Sequence, residues 1–397
     1  MRVRVLASAI LLVAACGIAF AQDDVPPKLI QLINGPSQVE IPCDIKFPKP
    51  QLMFRQQYAL EVWGRFSHKE VERGSVRHLQ VLLKLQDGEG RWLDGEDYDD
   101  FKVPINLQGH DIAYSALVYV RPGRYRVSMA ILDTETGKAN IYHRDLNISP
   151  LSNDPFPVID ELLPAAEFPQ REGDARGFWL LPDHMEPIPL PHSRPTRLEI
   201  VLNITKRSRW DFLYRADVDF MLQSGSMLGR FRPANGCVRL SVIDSLRTTV
   251  VLDRFSVQRL NWTRLQEKIE NINQDIIDVK ILANQKKIAQ FMHDYLQKVA
   301  ADDGGCGKAT DAAPLVVVVS PDVVLPDGNK IGGLTPLQRN VFVYIHEGSG
   351  GGWMDGIGQV LSSGKPHKIE SATARDFRKA LARIARMMTG DDGKPGQ

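Results

Sequence analysis

The sequence has few cysteines, no excess of charge of either sign, and no long apolar run after its first residues. Its 4 cysteines among 397 residues exclude a disulfide framework, so the fold must depend on a hydrophobic core. The 49 basic and 48 acidic residues leave a net charge of +1, which gives no electrostatic basis for binding nucleic acid. No later segment has the roughly 20 apolar residues of a transmembrane helix. This composition favours a globular chain of two or three domains.

Residues 1–21 are predicted to be an export signal. Arg2 and Arg4 precede an apolar run, and residues 19–21 (AFA) provide the small side chains that a signal peptidase recognises. A second interpretation is a lipobox that ends at Cys16, in which case Cys16 is lipidated and anchors the protein. The expected location is therefore secreted or periplasmic, with a lipid anchor at Cys16 as the alternative.

Three cysteines remain once such a leader is removed, and an odd number matters in an oxidising compartment. At most one disulfide can form, and we expect Cys237 to pair with Cys306 because both lie in the same predicted domain. Cys43 lies in the other predicted domain. None of these cysteines has the close Cys or His neighbour that a structural zinc site needs.

Residues 40–149 are predicted to form an all-β sandwich. Segments of alternating apolar and polar residues are separated by turn-forming residues, as in strands with one buried face. In the segment 124–131 the apolar side chains fall on one face: Tyr125, Val127, Met129 and Ile131. Residues 133–137 are predicted to close a hairpin, with Gly137 free to take a positive φ. The turn at residues 121–123, followed by a tyrosine, resembles the late strands of immunoglobulin-like and fibronectin type III-like modules.

The remainder divides into three parts. Residues 150–195 contain 10 prolines and are predicted to be a linker along the surface of one or both domains. Residues 196–389 have continuous apolar runs, typical of strands buried on both faces of a parallel sheet, that alternate with helical patterns. The last helix begins with Thr373 and Asp376 as a predicted capping pair. These elements predict a three-layer α/β domain with a Rossmann-type sheet, and residues 390–397 are predicted to be disordered.

The order strand, helix, hairpin, helix, strand, strand, helix in residues 197–388 resembles the von Willebrand factor type A domain. Together with an exported β-sandwich it resembles the divergent VWFA-related proteins of some bacterial envelopes. The family's metal-ion-dependent adhesion site begins with Asp-x-Ser-x-Ser after the first buried strand, and other loops add a Thr and a late Asp. The resemblance implies a divalent cation that captures a carboxylate of a protein ligand.

This sequence departs from that motif. If residues 198–204 are the first strand, Asn203 replaces the Asp, Thr205 keeps a hydroxyl, and Arg207 replaces the second Ser. Asp322 matches the late Asp. A site with one carboxylate and a neighbouring guanidinium binds Mg²⁺ or Ca²⁺ poorly, so we expect no cofactor and a degenerate site. The candidate metal ligands are Asn203, Thr205 and Asp322.

The stretch SGSM, residues 224–227, also resembles the adhesion motif, but Leu222 stands where its aspartate belongs. If the first strand is residues 198–204, this stretch falls in the following helix, which ends near Gly225 or Gly229. The alternative places residues 217–223 in a strand and SGSM in a loop. We favour the helix, because an acidic start is unusual for a buried strand.

Three further segments have weaker signals. His346-Glu347 lacks the second His of a zinc-protease helix and Ser349 lacks a Gly-x-Ser-x-Gly context, so a strand followed by a glycine loop is predicted. The acidic residues 86–101 are predicted to be a solvated loop, with calcium binding as the alternative. The basic face of the last helix is predicted to be solvated, with anionic lipid as the alternative.

The sequence therefore predicts an exported, non-catalytic protein-binding protein of the cell envelope, with an adhesion or scaffold-like role. The expected partner is a protein; nucleic acid is not expected, and a membrane is expected only if Cys16 is lipidated. The predicted binding surface lies where the strands of the α/β sheet end: Asn203, Thr205, Asp322, Ser349 and Trp353. The alternatives are a structural envelope lipoprotein and an exported hydrolase with a site around His346, Glu347 and Asp322.

Overall fold

The structure is a computed structural model that describes residues 25–74, 76–103, 111–169, 187–190, 193–204, 211–272, 285–301, 314–321, 341–347, 355–362 and 365–390. Two regions follow one another along the chain. The first contains two antiparallel sheets, and the second contains a six-stranded mixed sheet with most of the helical residues. None of the helices that these residues form is long and apolar enough to cross a membrane.

The antiparallel sheets are built from ten strands. Their bounds are β1 Gln38–Val39, β2 Asp44–Lys46, β3 Gln51–Leu52, β4 Tyr58–Phe66, β5 His78–Gln86, β6 Asp97–Lys102, β7 Ile112–Val120, β8 Gly123–Asp133, β9 Ala139–Ile148 and β10 Ala166–Glu167. One sheet has the order β1-β9-β8-β5-β6 and the other β10-β7-β4-β2, with β3 also paired to β4. Three short helices accompany them: α1 Pro27–Ile33, α2 His68–Glu72 and α3 Val158–Leu162.

One apolar core joins the two antiparallel sheets. Val62 and Val118 of one sheet and Val81 and Met129 of the other are fully buried in the same cluster. The face predicted for the segment 124–131 is buried as expected, because its apolar side chains all belong to this cluster. Gly137 has a φ of +75° at the β8–β9 hairpin, where its N–H donates to the carbonyl of Asp133 at 2.8 Å.

In the second region the structure describes eight strands. They are β11 Ile188–Leu190, β12 Thr196–Asn203, β13 Phe231–Pro233, β14 Gly236–Asp244, β15 Thr249–Ser256, β16 Leu315–Pro321, β17 Val341–Glu347 and β18 His367–Glu370. The mixed sheet has the order β15-β14-β12-β16-β17-β18, in which β15 is antiparallel to β14 and the other neighbours are parallel. Strands β11 and β13 form a separate parallel pair.

Five helices are described in the same region, and their apolar residues divide between the two faces of the mixed sheet. They are α4 Asp211–Gly229, α5 Trp262–Ile272, α6 Gln285–Ala301, α7 Gly356–Leu361 and α8 Ala374–Thr389. Leu202 of β12 shares a cluster with Phe220 of α4 and Phe377 of α8. Val201, the adjacent residue, shares another cluster with Leu296 of α6 and Val360 of α7. Since alternate residues of a strand point to opposite faces, both faces of β12 are buried.

The chain is rich in β-structure and forms several sheets, which agrees in part with the predicted fold class. The predicted capping pair of the last helix is also present, because the N–H of Asp376 donates to Thr373 Oγ1 at 3.2 Å. Within residues 150–195, the described parts include α3 and two short strands. Of these strands, β10 pairs with β7 in the first region and β11 pairs with β13 in the second. The proline-rich segment therefore contributes strands to both regions.

Buried ion pairs join the two regions. The guanidinium of Arg378 on α8 is 1% exposed and contacts Asp154 through Nε at 2.7 Å and Asp160 at 2.8 Å. Glu167 of β10 pairs with Arg55 from the first region and lies 3.5 Å from Arg230 of the second. Burial raises the pKa of Asp160, an effect that the guanidinium of Arg378 opposes. The α8 helix is therefore held to the segment that follows the antiparallel sheets.

We predict that Arg378→Met lowers the free energy of unfolding by about 3–5 kcal/mol at neutral pH, because two buried carboxylates lose their cation. The loss becomes smaller at acid pH, since protonated carboxyl groups cost less to bury. Urea unfolding of the full-length protein at two pH values measures both effects. Arg383→Met, on the exposed face of the same helix, is the matched control and should change stability by less than about 0.5 kcal/mol. An equal loss in both variants contradicts the prediction.

Candidate functional site

The parallel strands of the mixed sheet end in a row of polar residues. The register pairs Leu202 with Val319, so Asn203 and Ser320 are the next residues on β12 and β16. Ser320 in turn pairs with His346 on β17, and His346 with Glu370 on β18. Ligands of open α/β sheets bind outside the carboxyl ends of the strands, where the strand order reverses. That position lies here between β12 and β16, at Asn203 and Ser320, and we call the row of these two residues with His346 and Glu370 the carboxyl edge.

Asn203 is completely buried and both ends of its amide are hydrogen-bonded. Its Oδ1 accepts from the backbone N–H of Ser245 at 3.1 Å, and its Nδ2 donates to Ser320 Oγ at 2.9 Å. The orientation of the amide is fixed by these partners, since the N–H of Ser245 can only donate. The hydroxyl of Ser320 in turn donates a hydrogen bond to the carbonyl of Pro321 at 2.9 Å. The side chain of Asn203 therefore connects the ends of β14, β12 and β16.

A second polar group surrounds Asp355, which precedes α7. Asp355 Oδ1 accepts from the hydroxyl of Tyr344 at 2.8 Å and from the N–H of Gly358 at 2.7 Å, and its Oδ2 lies 2.9 Å from Lys368 Nζ. Burial disfavours the ionised carboxyl, but these donors outweigh it and hold the pKa of Asp355 below its ordinary value. The bond to Gly358 caps the N-terminus of α7. His346 is 3% exposed, and its ring centroid lies 5.7 Å from that of Tyr344.

Of the predicted surface residues, the structure describes Asn203 alone; Thr205, Asp322, Ser349 and Trp353 lie outside the described residues. Cys237 is disulfide-bonded and Cys43 is free. The partner of Cys237 lies outside the described residues, as does Cys306, so that pairing remains a prediction. Sequence reasoning missed Ser320, Tyr344, Asp355 and Lys368. Ser320 directly follows the apolar run of β16, and this position was the one available signal.

The SGSM stretch lies in α4, close to the helix end at Gly229. Ser224 and Ser226 are 0% and 1% exposed. A Cβ added at Gly225 would lie 2.6 Å from Leu202 Cδ1 on β12. The small residues therefore let α4 pack closely against the sheet next to Asn203, and this packing accounts for the stretch without a metal.

The acidic segment 86–101 is largely paired within the antiparallel sheets. Arg91 contacts Asp87 at 2.8 Å, and Lys84 contacts Glu96 at 2.9 Å. Gln80 donates to Asp100 at 2.8 Å. Among the residues that the structure describes, no group of three or more His, Cys, Asp or Glu side chains is placed to hold a metal ion.

No protein-family model and no curated protein matches the chain. Among solved structures, it is similar to a beta-glucuronidase of Bacteroides uniformis at 11% identity and a TM-score of 0.21, over 81% of this chain and 38% of that one. A glycosyl hydrolase family 2 member of Bacteroides cellulosilyticus has 8% identity and a TM-score of 0.20, over 76% and 38%. The ApaA protein of Bordetella pertussis has 15% identity and a TM-score of 0.16, over 28% and 95%. Similarities at these TM-scores support no conclusion about fold or activity.

We predict that Gly225→Ala destabilises the protein by about 1 kcal/mol. Overpacking against Leu202 costs about 1–3 kcal/mol, and the better helix propensity of alanine offsets part of this cost. Thermal unfolding of the single variants and of Gly225→Ala combined with Leu202→Val measures the effect. Valine lacks the Cδ atoms, so the cost of the added methyl should largely disappear in that background. A stabilised Gly225→Ala protein would show that α4 does not pack closely on β12.

Proposed function

We propose that the chain is an exported, non-catalytic protein-binding protein of the cell envelope. Its first region is proposed to be an immunoglobulin- or fibronectin-like β-sandwich. Its second region is proposed to be a three-layer α/β domain of the von Willebrand factor type A kind, in which the metal-ion-dependent adhesion site has degenerated. Binding is assigned to the carboxyl edge and the residues that follow it in the sequence.

The strand arrangement supports the type A interpretation. The order β15-β14-β12-β16-β17-β18 places the first long strand of the region, β12, in the interior of the sheet. The strand order reverses between β12 and β16, which are themselves parallel. Its single antiparallel member is the edge strand β15, which forms the hairpin that the type A pattern requires. Helices contribute to separate apolar clusters on the two faces of the sheet, as a three-layer arrangement needs.

The observation that carries the proposal is the position and bonding of Asn203. In the type A family, the first buried strand ends at the aspartate that begins the metal motif, and β12 ends at Asn203. The amide oxygen is bonded to Ser245, and the amide nitrogen faces the hydroxyl of Ser320. A hard divalent cation needs oxygen ligands with at least one carboxylate. These residues do not fit such a cation, so the proposed binding is independent of metal.

We predict that Mg²⁺ at millimolar concentration leaves the melting temperature of the full-length protein unchanged. A bound cation would stabilise the folded state by mass action, so the absence of a shift means that no site binds it tightly. Differential scanning calorimetry with Mg²⁺, Mn²⁺ and Ca²⁺ is the measurement. A metal-dependent shift that Asp322→Ala removes would contradict the prediction and restore metal-dependent adhesion.

The companion variant is Asn203→Asp, which places a carboxylate in a fully buried position without the bond from Nδ2. The variant should lose about 1–3 kcal/mol of stability at neutral pH. Burial raises the pKa of the new carboxyl above its unfolded value, so the loss grows as the pH rises and is smallest below about pH 4. Unfolding at several pH values measures this, and equal stability of both proteins at neutral pH would contradict it.

The binding role itself is tested by capturing partners from an envelope extract on the full-length protein and then measuring each binary affinity. Binding that EDTA leaves unchanged and that Trp353→Ala weakens supports the proposal. Lys286→Ala, on the exposed face of α6, is the control. Hydrolytic turnover that His346→Ala abolishes would overturn the proposal in favour of an enzyme.

A further inference from the structure

The exposed face of α8 carries a row of cations that the proposed function does not use. Arg375, Lys379, Arg383 and Arg386 are all exposed, and they lie at intervals of three or four residues. At about 100° per residue these four positions fall within a sector of about 80°. The row continues past the end of the helix with the exposed Arg194, whose guanidinium donates to the carbonyl of Gly390 at 3.1 Å. We call these five residues the basic row.

Among the residues that the structure describes, carboxylates neutralise little of this positive charge. Lys379 contacts a carboxylate, that of Asp376 at 2.8 Å, and is 59% exposed. Arg375 donates to the carbonyl of Ser152 at 2.7 Å, and Arg383 donates to His367 Nδ1 at 2.8 Å. Exposed pairs such as Lys379–Asp376 are weak in water. The row therefore presents unneutralised guanidinium groups to solvent.

The shape of the row is that of a line. Arg375 and Arg386 are about 16 Å apart along the helix axis, and the cations between them follow one another one helical turn at a time. The opposite face of α8 is buried against the mixed sheet through Phe377, Leu381 and Ile384. A single file of charges matches a polymer with regularly spaced anionic groups better than it matches a broad surface.

The residues around the basic row narrow the choice of anionic ligand. The exposed large apolar residues among those that the structure describes lie on other elements, and neither α8 nor β18 contributes one. Insertion into a membrane interface needs an accessible apolar face, and binding of single-stranded nucleic acid uses exposed aromatic rings for stacking. Arginine, which supplies four of the five cations, binds planar oxyanions in bidentate fashion.

We propose that the basic row binds a linear acidic polysaccharide, with its guanidinium groups paired to successive carboxylate or sulfate groups of the chain. The contacts are electrostatic and release counterions, so the logarithm of the affinity should fall linearly with the logarithm of the salt concentration. This site is separate from the carboxyl edge and does not depend on the proposed function.

The test is binding of full-length protein to heparin and to polygalacturonate by isothermal titration at several salt concentrations. Lys379→Gln combined with Arg383→Gln removes two cations, both exposed. This change should weaken binding about twenty-fivefold at low salt, at about a factor of five per cation. The slope of log affinity against log salt should fall in magnitude by about 1.5.

The matched control is Lys286→Gln combined with Lys287→Gln, two adjacent exposed cations on α6. It should bind both polymers as the wild type does, and all variants should keep the wild-type melting temperature. Equal binding by the two double variants would overturn the proposal. Tighter binding to anionic phospholipid vesicles or to single-stranded DNA than to either polysaccharide would overturn the choice of ligand.

Discussion

The contact between the Arg378 guanidinium and the carboxylates of Asp154 and Asp160 is the constraint on which the arrangement of this protein depends. A buried charge without a partner costs several kcal/mol, so Arg378 must meet these carboxylates wherever α8 packs. Glu167 likewise forms ion pairs with the buried guanidinium groups of Arg55 and Arg230. Because the pairs join residues from different parts of the chain, they fix how the antiparallel sheets approach the mixed sheet.

This constraint also explains why α8 presents three chemically distinct faces. One face packs against the mixed sheet through apolar residues such as Phe377. A second face carries Arg378, which pairs with Asp154 in the segment after β9. The third face is exposed to solvent, and the other four cations of α8 lie there. Their positive charge is therefore available to a ligand without loss of fold stability, whereas the charge of Arg378 is not.

Sequence patterns over a few neighbouring residues predicted the features that depend on contacts between those neighbours. The apolar run of β16, the buried face of β8, the Gly137 turn and the Thr373 cap were all visible in the sequence, because each reflects the burial or bonding of near neighbours. Arg378 and Asp154 are 224 residues apart, and no local pattern pairs them. Strand β10 was hidden for another reason, since the prolines around it suppress the alternation that signals a strand. At the carboxyl edge, the sequence placed Asn203 correctly at a strand end but did not indicate its bonds to Ser245 and Ser320.

Those two bonds determine the charge at the centre of the carboxyl edge. An amide offers one acceptor and donors, so Asn203 satisfies a backbone N–H on one side and a hydroxyl on the other without introducing charge. An aspartate could accept from both neighbours only by bringing a negative charge into a fully buried position, which a cation would then have to balance. With asparagine the centre of the carboxyl edge is neutral and needs no ion. The binding proposed for this edge would then rest on shape and hydrogen bonding, and the binding proposed for the exposed cations of α8 would rest on charge.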